Sequence, residues 1–196
     1  CRVADDGAKL DVSAFADGPN DRDLQRKLVS LARRFDLETA GIALRPVTDE
    51  SGAEQRRYLW FDQLFADDAR HELFRLNAQR EQVVWSDLIT CFGSGVVDIR
   101  RARTGVLAVL FDDVDRALPR RIVALRSKPG PDVIQRVLQQ VHPDRRDAAR
   151  ARIGWGLQRY ALEIDTVIRG DRRRWYVVAT LNNDTAEVHY RGQIRW

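Results

Sequence analysis

The spacing of apolar residues is clearest in the C-terminal part of the chain. Residues 160–168 alternate between an apolar side and a mixed side, which predicts a β-strand with two different faces. Stretches 175–181 and 186–196 continue the alternation, and short turn-forming sequences separate them. Three strands joined by short turns predict an antiparallel meander, a sheet that can leave one face in contact with water. The apolar side of the first strand contains Tyr160, Leu162, Ile164, Thr166 and Ile168.

Helical spacing predicts much of the remaining secondary structure. A helix that begins near Asn20 is predicted by apolar residues every three or four positions, namely Leu24, Leu28, Leu31 and Phe35. Further helices are predicted over 62–80, from Pro131 to about Val141, and over 144–153. A hairpin is predicted from a strand at 40–47 and an answering strand at 57–61.

An uninterrupted apolar run, Val106–Phe111, lies near the centre of the chain. No polar residue alternates with the apolar ones, so we expect a strand buried on both faces. A second strand is predicted at Ile122–Leu125. The fold class expected is therefore α+β: a mainly antiparallel sheet that ends in a three-stranded C-terminal meander, with helices packed against it.

The first residues are small and polar and show no sustained period. They predict a flexible N-terminal tether over residues 1–19, followed by a single α+β domain over residues 20–196. No apolar run approaches the roughly 18 residues of a membrane helix. The sequence lacks methionine, so we expect that residues ahead of Cys1 were removed.

The position of Cys1 at the head of a tether resembles a mature bacterial lipoprotein. In that class a signal peptide is cut just before a cysteine, which then carries the lipid. The resemblance implies lipidation of Cys1 and a periplasmic location, anchored at the outer membrane because Arg2 is not the aspartate that favours inner-membrane retention. The alternatives are a boundary that falls at a cysteine by chance, a cytoplasmic protein, and a Cys1–Cys91 disulfide in an oxidising compartment.

The basic residues are mostly arginines, spread over the whole chain. The net charge is +4, and acidic residues are interleaved almost as densely as the arginines. A nucleic-acid-binding protein usually concentrates its cations on one face. We therefore interpret the charges as a solvated mixed surface and do not expect a nucleic-acid partner.

Three aspartates directly follow the central apolar run: Asp112, Asp113 and Asp115. Asp113 and Asp115 would share a face if the strand continued, and with Lys128 they would suit Mg²⁺-dependent phosphoryl or nucleotidyl transfer. The other interpretation is an acidic turn that pairs with Arg116, Arg120 or Arg121. Zinc, calcium and serine-hydrolase motifs are absent, and we expect no metal site or cofactor outside this alternative.

Arginines and aromatic residues are interleaved on the predicted C-terminal strands. This combination is favoured as an anchor in protein interfaces. The alternatives are a face that stacks single-stranded nucleic acid and arginine stems that simply pack over the aromatic rings of the sheet. The candidate binding residues are Trp175, Tyr176, Tyr190, Arg191 and Trp196. Because catalytic spacing is absent and a tether is predicted, we expect a non-enzymatic, lipoprotein-like domain that binds a protein partner or an envelope component. An inhibitor or immunity protein and an accessory subunit of an assembly both fit. The Mg²⁺-dependent enzyme is the alternative.

Overall fold

The computed structural model describes residues 1–12, 22–44, 47–48, 54–55, 60–66, 73, 83–127, 132–182 and 185–194. Within these ranges there are ten strands and five α-helices. The strands are β1 (Arg2–Asp5), β2 (Leu10–Asp11), β3 (Val47–Thr48), β4 (Glu54–Gln55), β5 (Ile89–Thr90), β6 (Val97–Asp98), β7 (Ile153–Gly154), β8 (Arg159–Ile168), β9 (Asp171–Asn182) and β10 (Thr185–Ile194). The helices are α1 (Arg22–Phe35), α2 (Thr104–Leu110), α3 (Leu118–Arg126), α4 (Val133–Gln139) and α5 (Arg146–Arg150).

The main sheet has four antiparallel strands in the order β1-β8-β9-β10. Its last three strands are consecutive in the chain, so the predicted C-terminal meander and the α+β fold class are confirmed. Arg169 and Gly170 both have positive φ angles between β8 and β9, which is the geometry of a two-residue hairpin turn. The register of β10 shifts between Val188 and Tyr190, where His189 forms a bulge.

Residues 2–12 belong to the fold, so the prediction of a flexible tether is wrong for them. Arg2 pairs with Glu163 and Asp5 pairs with Tyr160 as β1 joins the edge of the sheet. Leu10 is fully buried, and β2 pairs in parallel with β5. The small polar residues of this segment do not predict that it belongs to the fold, because the segment is held by pairing with strands that are far away in sequence. The division into one tether and one domain otherwise stays a prediction.

The helix predicted after Asn20 is confirmed as α1, which buries Leu24, Leu28 and Leu31. The helix predicted after Pro131 is confirmed as α4, and its buried residues include Val137. The predicted helix at 144–153 is shorter, because α5 is preceded by a 3₁₀ turn over Pro143–Arg145.

The two strands predicted at the centre of the chain are wrong. Val106–Phe111 lies in α2 and the turn after it, and Ile122–Leu125 lies in α3. α2 contacts α1 and α3, and its Val106, Leu107, Val109 and Leu110 are all buried. A short helix enclosed in this way is apolar on most sides, and its sequence therefore looks like that of a buried strand.

The region between α1 and β5 is described only in part. In place of the predicted strand at 40–47, Ile42 forms a single bridge with Phe65, and a two-residue strand follows at Val47–Thr48. Most of the predicted strand at 57–61 and helix at 62–80 lies outside the described residues.

Candidate functional site

The two faces of the main sheet differ in what they contact. On the inner face, Ala161, Tyr176 and Val178 belong to the hydrophobic core. Ala161 pairs with Val178, and Glu163 pairs with Tyr176, so this face also carries the acidic residues of β8. The outer face carries the alternate residues of the same strands, which lie between the inner-face residues in sequence.

A buried polar network fixes the inner face to the N-terminal segment. Lys9 Nζ lies 3.0 Å from Asp6 Oδ1 and 3.1 Å from Tyr176 Oη. Thr90 donates a hydrogen bond to Asp6 Oδ2 at 2.9 Å, so every partner is satisfied inside the protein. Burial raises the pKa of Tyr176, which keeps the phenol neutral. Burial opposes the charge on Lys9, but Tyr176 and Asp6 outweigh it and raise the pKa of Lys9. The network is a structural anchor.

Tyr190 holds β10 to the body of the protein through aromatic stacking. Its ring centroid lies 4.6 Å from that of Trp60 and 4.6 Å from that of Phe92. The ring lies back along its own strand over Gly192, where an added Cβ would be 2.6 Å from Tyr190 Cζ. Gly192 is opposite Tyr176 in the register, so the missing side chain leaves space for the Tyr190 ring on the inner face.

The outer face carries an apolar row that crosses β1, β8 and β9 and ends at Arg191 on β10. Val3 pairs with Leu162, and Leu162 pairs with Val177, which in turn pairs with Arg191. Val3 is 61% exposed and Val188 is 57% exposed. Leu162 and Val177 are half-buried and do not belong to the hydrophobic core. The outer face therefore presents apolar side chains that the described core does not use.

Trp175 and Arg191 form a pair on this outer face. The Arg191 guanidinium lies 5.3 Å from the centre of the Trp175 ring, which is within the range of a cation–π interaction. Trp175 pairs with Ile164 on β8 and with Gln193 on β10. The two residues thus add a half-buried aromatic ring and an exposed cation to the apolar surface.

Charged and apolar residues occur on both faces of the sheet, which departs from the usual distribution. Antiparallel sheets normally direct apolar residues to the core and polar residues to water. Here the inner face carries the ion pair of Asp165 with Arg174, whose side-chain atoms are 2.5 Å apart. Arg174 lowers the pKa of Asp165. The more apolar set, Leu162, Ile164, Trp175 and Val177, lies on the other side.

Of the predicted binding residues, Trp175 and Arg191 lie on the outer face. Tyr176 is fully buried and Tyr190 is half-buried on the inner face, so neither is available as an anchor on the exposed surface. Trp196 lies outside the described residues. Sequence reasoning missed Leu162, Val177 and Val188 as surface residues. The alternation contains them, but it does not indicate which face is turned to solvent.

The acidic cluster after α2 is held by basic side chains. Lys27 is fully buried, and its Nζ lies 2.9 Å from Asp112 Oδ1 and 3.6 Å from Asp113 Oδ1. Arg152 binds Asp113 through two hydrogen bonds of 2.7 and 2.9 Å, and this holds the pKa of Asp113 well below its usual range. Asp115 pairs with Arg121 at 3.0 Å, as one of the sequence interpretations predicted.

The Lys27 ammonium therefore lies where a metal ion would have to bind. Among the described residues there is no group of three or more histidine, cysteine, aspartate or glutamate side chains that could hold a metal. Lys128 lies outside the described residues. The Mg²⁺-dependent enzyme stays a prediction for which the geometry of Asp112, Asp113 and Asp115 offers no support.

The two cysteines are not bonded to each other. Cys1 is exposed, next to β1, whereas Cys91 is buried, so they do not form the disulfide that the sequence left open. Burial raises the pKa of the Cys91 thiol, which disfavours the nucleophilic thiolate. Among the described helices, none is long and apolar enough to cross a membrane.

No protein-family model matches the chain, and no curated protein has a matching sequence. Among solved structures, the chain is similar to one from the crystal structure of the GspK-GspI-GspJ complex of the type 2 secretion system of enterotoxigenic Escherichia coli. The identity is 13%, the TM-score is 0.49, and the alignment covers 99% of this chain and 79% of that chain. A TM-score below 0.5 does not establish a shared fold, so the function of this chain is inferred from its own residues.

Proposed function

We propose that this protein is a non-enzymatic domain that binds another protein through the outer face of the main sheet. The observation that carries the proposal is the apolar outer face, where Leu162, Trp175 and Val177 remain outside the core. Contiguous apolar surface exposed on a protein marks an interaction site more often than scattered apolar residues do.

The chemistry of the outer face suits a protein partner. Tryptophan and arginine are the residue types that most often anchor protein interfaces, and Trp175 and Arg191 are already held together. The sheet below them is held to the body of the protein by the Lys9 network and the Tyr190 stack, which favours a preorganised surface. A preorganised surface loses less entropy on association.

The finer part of the proposal concerns the location and the type of partner. We propose that the domain is anchored through a lipid on Cys1, in the periplasm and at the outer membrane. Its partner would then be an envelope protein, with the domain acting as an inhibitor, an immunity protein or an accessory subunit of an assembly. The mass of the Cys1 peptide from membranes of the native host tests this: acyl chains support the anchor, and an unmodified cysteine contradicts it.

The proposal is tested by placing a charge on the outer face. Val188→Lys introduces a cation at a 57% exposed position of the outer face, and Val123→Lys makes the same change at a 39% exposed position on α3. We expect Val188→Lys to lose proteins that co-purify with the native chain, because docking would bury the new charge. Val123→Lys should retain them. Circular dichroism and thermal melting check that both variants are folded.

Equal retention of the same proteins by both folded variants would contradict the proposal. So would a loss caused by Val123→Lys alone, since that result would place the binding surface on the helices.

A further inference from the structure

The hairpin of β8 and β9 extends beyond the rest of the sheet. β1 pairs with β8 only as far as Glu163, and the described pairing of β10 with β9 ends at Arg174. β8 and β9 continue together to the pair Ile168–Asp171. In the described part of the chain, the end of the hairpin is therefore a two-stranded projection.

The projection carries the two most exposed large apolar side chains of the described residues. Val167 is 70% exposed and Ile168 is 63% exposed. Because neighbouring residues of a strand point to opposite faces, one apolar side chain lies on each side of the projection. A protein that docked on one face would cover only one of them.

The same projection is rich in arginine. Residues 165–174 contain four arginines and two aspartates. Arg169 lies in the turn. Arg172 and Arg173 follow on β9, where they pair with Asp165 at 3.6 Å and Asp171 at 2.8 Å, and their side chains remain 69% and 50% exposed. Long arginine side chains can keep their guanidinium groups at the level of lipid headgroups while apolar neighbours enter the layer below.

The start of the chain lies at this end of the sheet. β1 is antiparallel to β8 and begins at Arg2, opposite Glu163, so Cys1 is directed towards Ile168 and not towards Arg159. The exposed Cys1 and the exposed apolar residues therefore lie towards the same end of the sheet.

We propose that the β8–β9 tip, defined as Val167–Arg173, contacts a bilayer surface that carries anionic lipids. Val167 and Ile168 enter the interface between headgroups and acyl chains, and Arg169, Arg172 and Arg173 bind the lipid phosphates. Because apolar side chains lie on both faces of the tip, a lipid layer that surrounds the tip is a better fit than a protein that binds one face. This membrane contact lies at the tip, beyond the Leu162, Trp175 and Val177 part of the outer face, and does not depend on a protein partner.

Sedimentation of the purified chain with vesicles tests the proposal. The vesicles contain phosphatidylcholine with or without phosphatidylglycerol. We expect binding to the anionic vesicles, lost in Val167→Ser/Ile168→Ser and kept in Leu181→Ser, which alters an exposed residue at the opposite end of the sheet. Arg172→Gln/Arg173→Gln should weaken binding by about 5-fold for each arginine. Arg33→Gln/Arg34→Gln on α1 makes the same change in net charge and should have little effect.

Three results would overturn the proposal. One is the absence of binding to anionic vesicles, which would leave a protein as the partner of the tip. Another is equal weakening by both pairs of arginine substitutions, which would show attraction by net charge alone. The last is native-like binding of Val167→Ser/Ile168→Ser. Val188→Lys should bind vesicles like the native chain. A failure of the proposed membrane contact can therefore be distinguished from a failure of the proposed protein-binding face.

Discussion

Individual arginines in this protein support the ends of helices and the loops between them. Arg126 donates hydrogen bonds to the carbonyl oxygens of Ile99 and Ala102 at 2.5 and 2.7 Å. Arg145 donates to the carbonyl of Val114, and Arg152 to that of Leu110. A guanidinium group offers several donors in a fixed plane, which lysine does not. The spread of arginine along the sequence thus has a structural role.

The pairing of Asp113 with Arg152 predicts a specific dependence of stability on pH. Arg152 lowers the pKa of Asp113 in the folded state, so the pair stabilises the fold above the unfolded pKa of about 4. This stability is lost as the pH falls through the folded pKa. We expect Asp113→Asn to reduce the free energy of unfolding by about 1 kcal/mol at neutral pH, because the pair is partly exposed. The reduction should be smaller at pH values below about 4.

Urea unfolding at neutral and acidic pH measures this effect. Asp144→Asn is the control, because the Asp144 side chain is 85% exposed. A difference between Asp113→Asn and the native chain that stays constant with pH would show that the Arg152 pair does not contribute in this way.

The partners of the acidic cluster show what sequence can predict at the residue scale. Arg121 is six residues from Asp115, and the sequence offered it as a partner. Lys27 and Arg152 are 85 and 39 residues away from Asp112 and Asp113, respectively. Only the packing of α1 against α2 brings Lys27 to the cluster.

Among the elements, an amphipathic helix and an almost wholly apolar helix differ in how well the sequence predicts them. The spacing of apolar residues in the strongly amphipathic α1 predicts a helix, whereas α2 is apolar over most of its seven residues and its sequence predicts a strand. A short apolar run has no period that separates a helix from a strand. Gly105, whose added Cβ would lie 2.7 Å from Phe35 Cζ, marks the close approach of α2 to α1. This contact is not visible in the sequence.

The packing of Tyr190 over Gly192 predicts an unusual response of β10 to mutation. Alanine normally suits a strand better than glycine. Gly192→Ala should nevertheless reduce the free energy of unfolding by about 1–3 kcal/mol, because the new methyl group displaces the Tyr190 ring from its position beside Trp60. In a Tyr190→Ala background, the same substitution should be neutral or stabilising. Chemical denaturation of the four chains of this double-mutant cycle measures the coupling.

An equal effect of Gly192→Ala in both backgrounds would contradict this packing. The outer face does not include the Tyr190 ring, so Gly192→Ala at temperatures where it is folded should still bind the partner that Val188→Lys loses.

The whole molecule has a sheet with apolar residues on both faces, and Leu162, Trp175 and Val177 of the outer face lie outside the described core. The alternation of β8 correctly separated Leu162 and Ile164 from Ala161 and Glu163. It could not indicate the inner side, since that depends on Lys9, Trp60 and Phe92, which reach the sheet from other parts of the chain. A rule based on hydrophobicity alone would have buried Leu162 and exposed Glu163. Burial instead raises the pKa of Glu163 on the inner face.

Site-specific photocrosslinking in the native host tests the outer face as a protein-binding surface most directly. A photoreactive phenylalanine analogue is placed at Val188 or Leu181 on the outer face, or at Val123 on α3 as the control. We predict a crosslinked protein of the same mass from both outer-face positions and none from Val123. A crosslink that forms from Val123 but from neither outer-face position would contradict the proposed function.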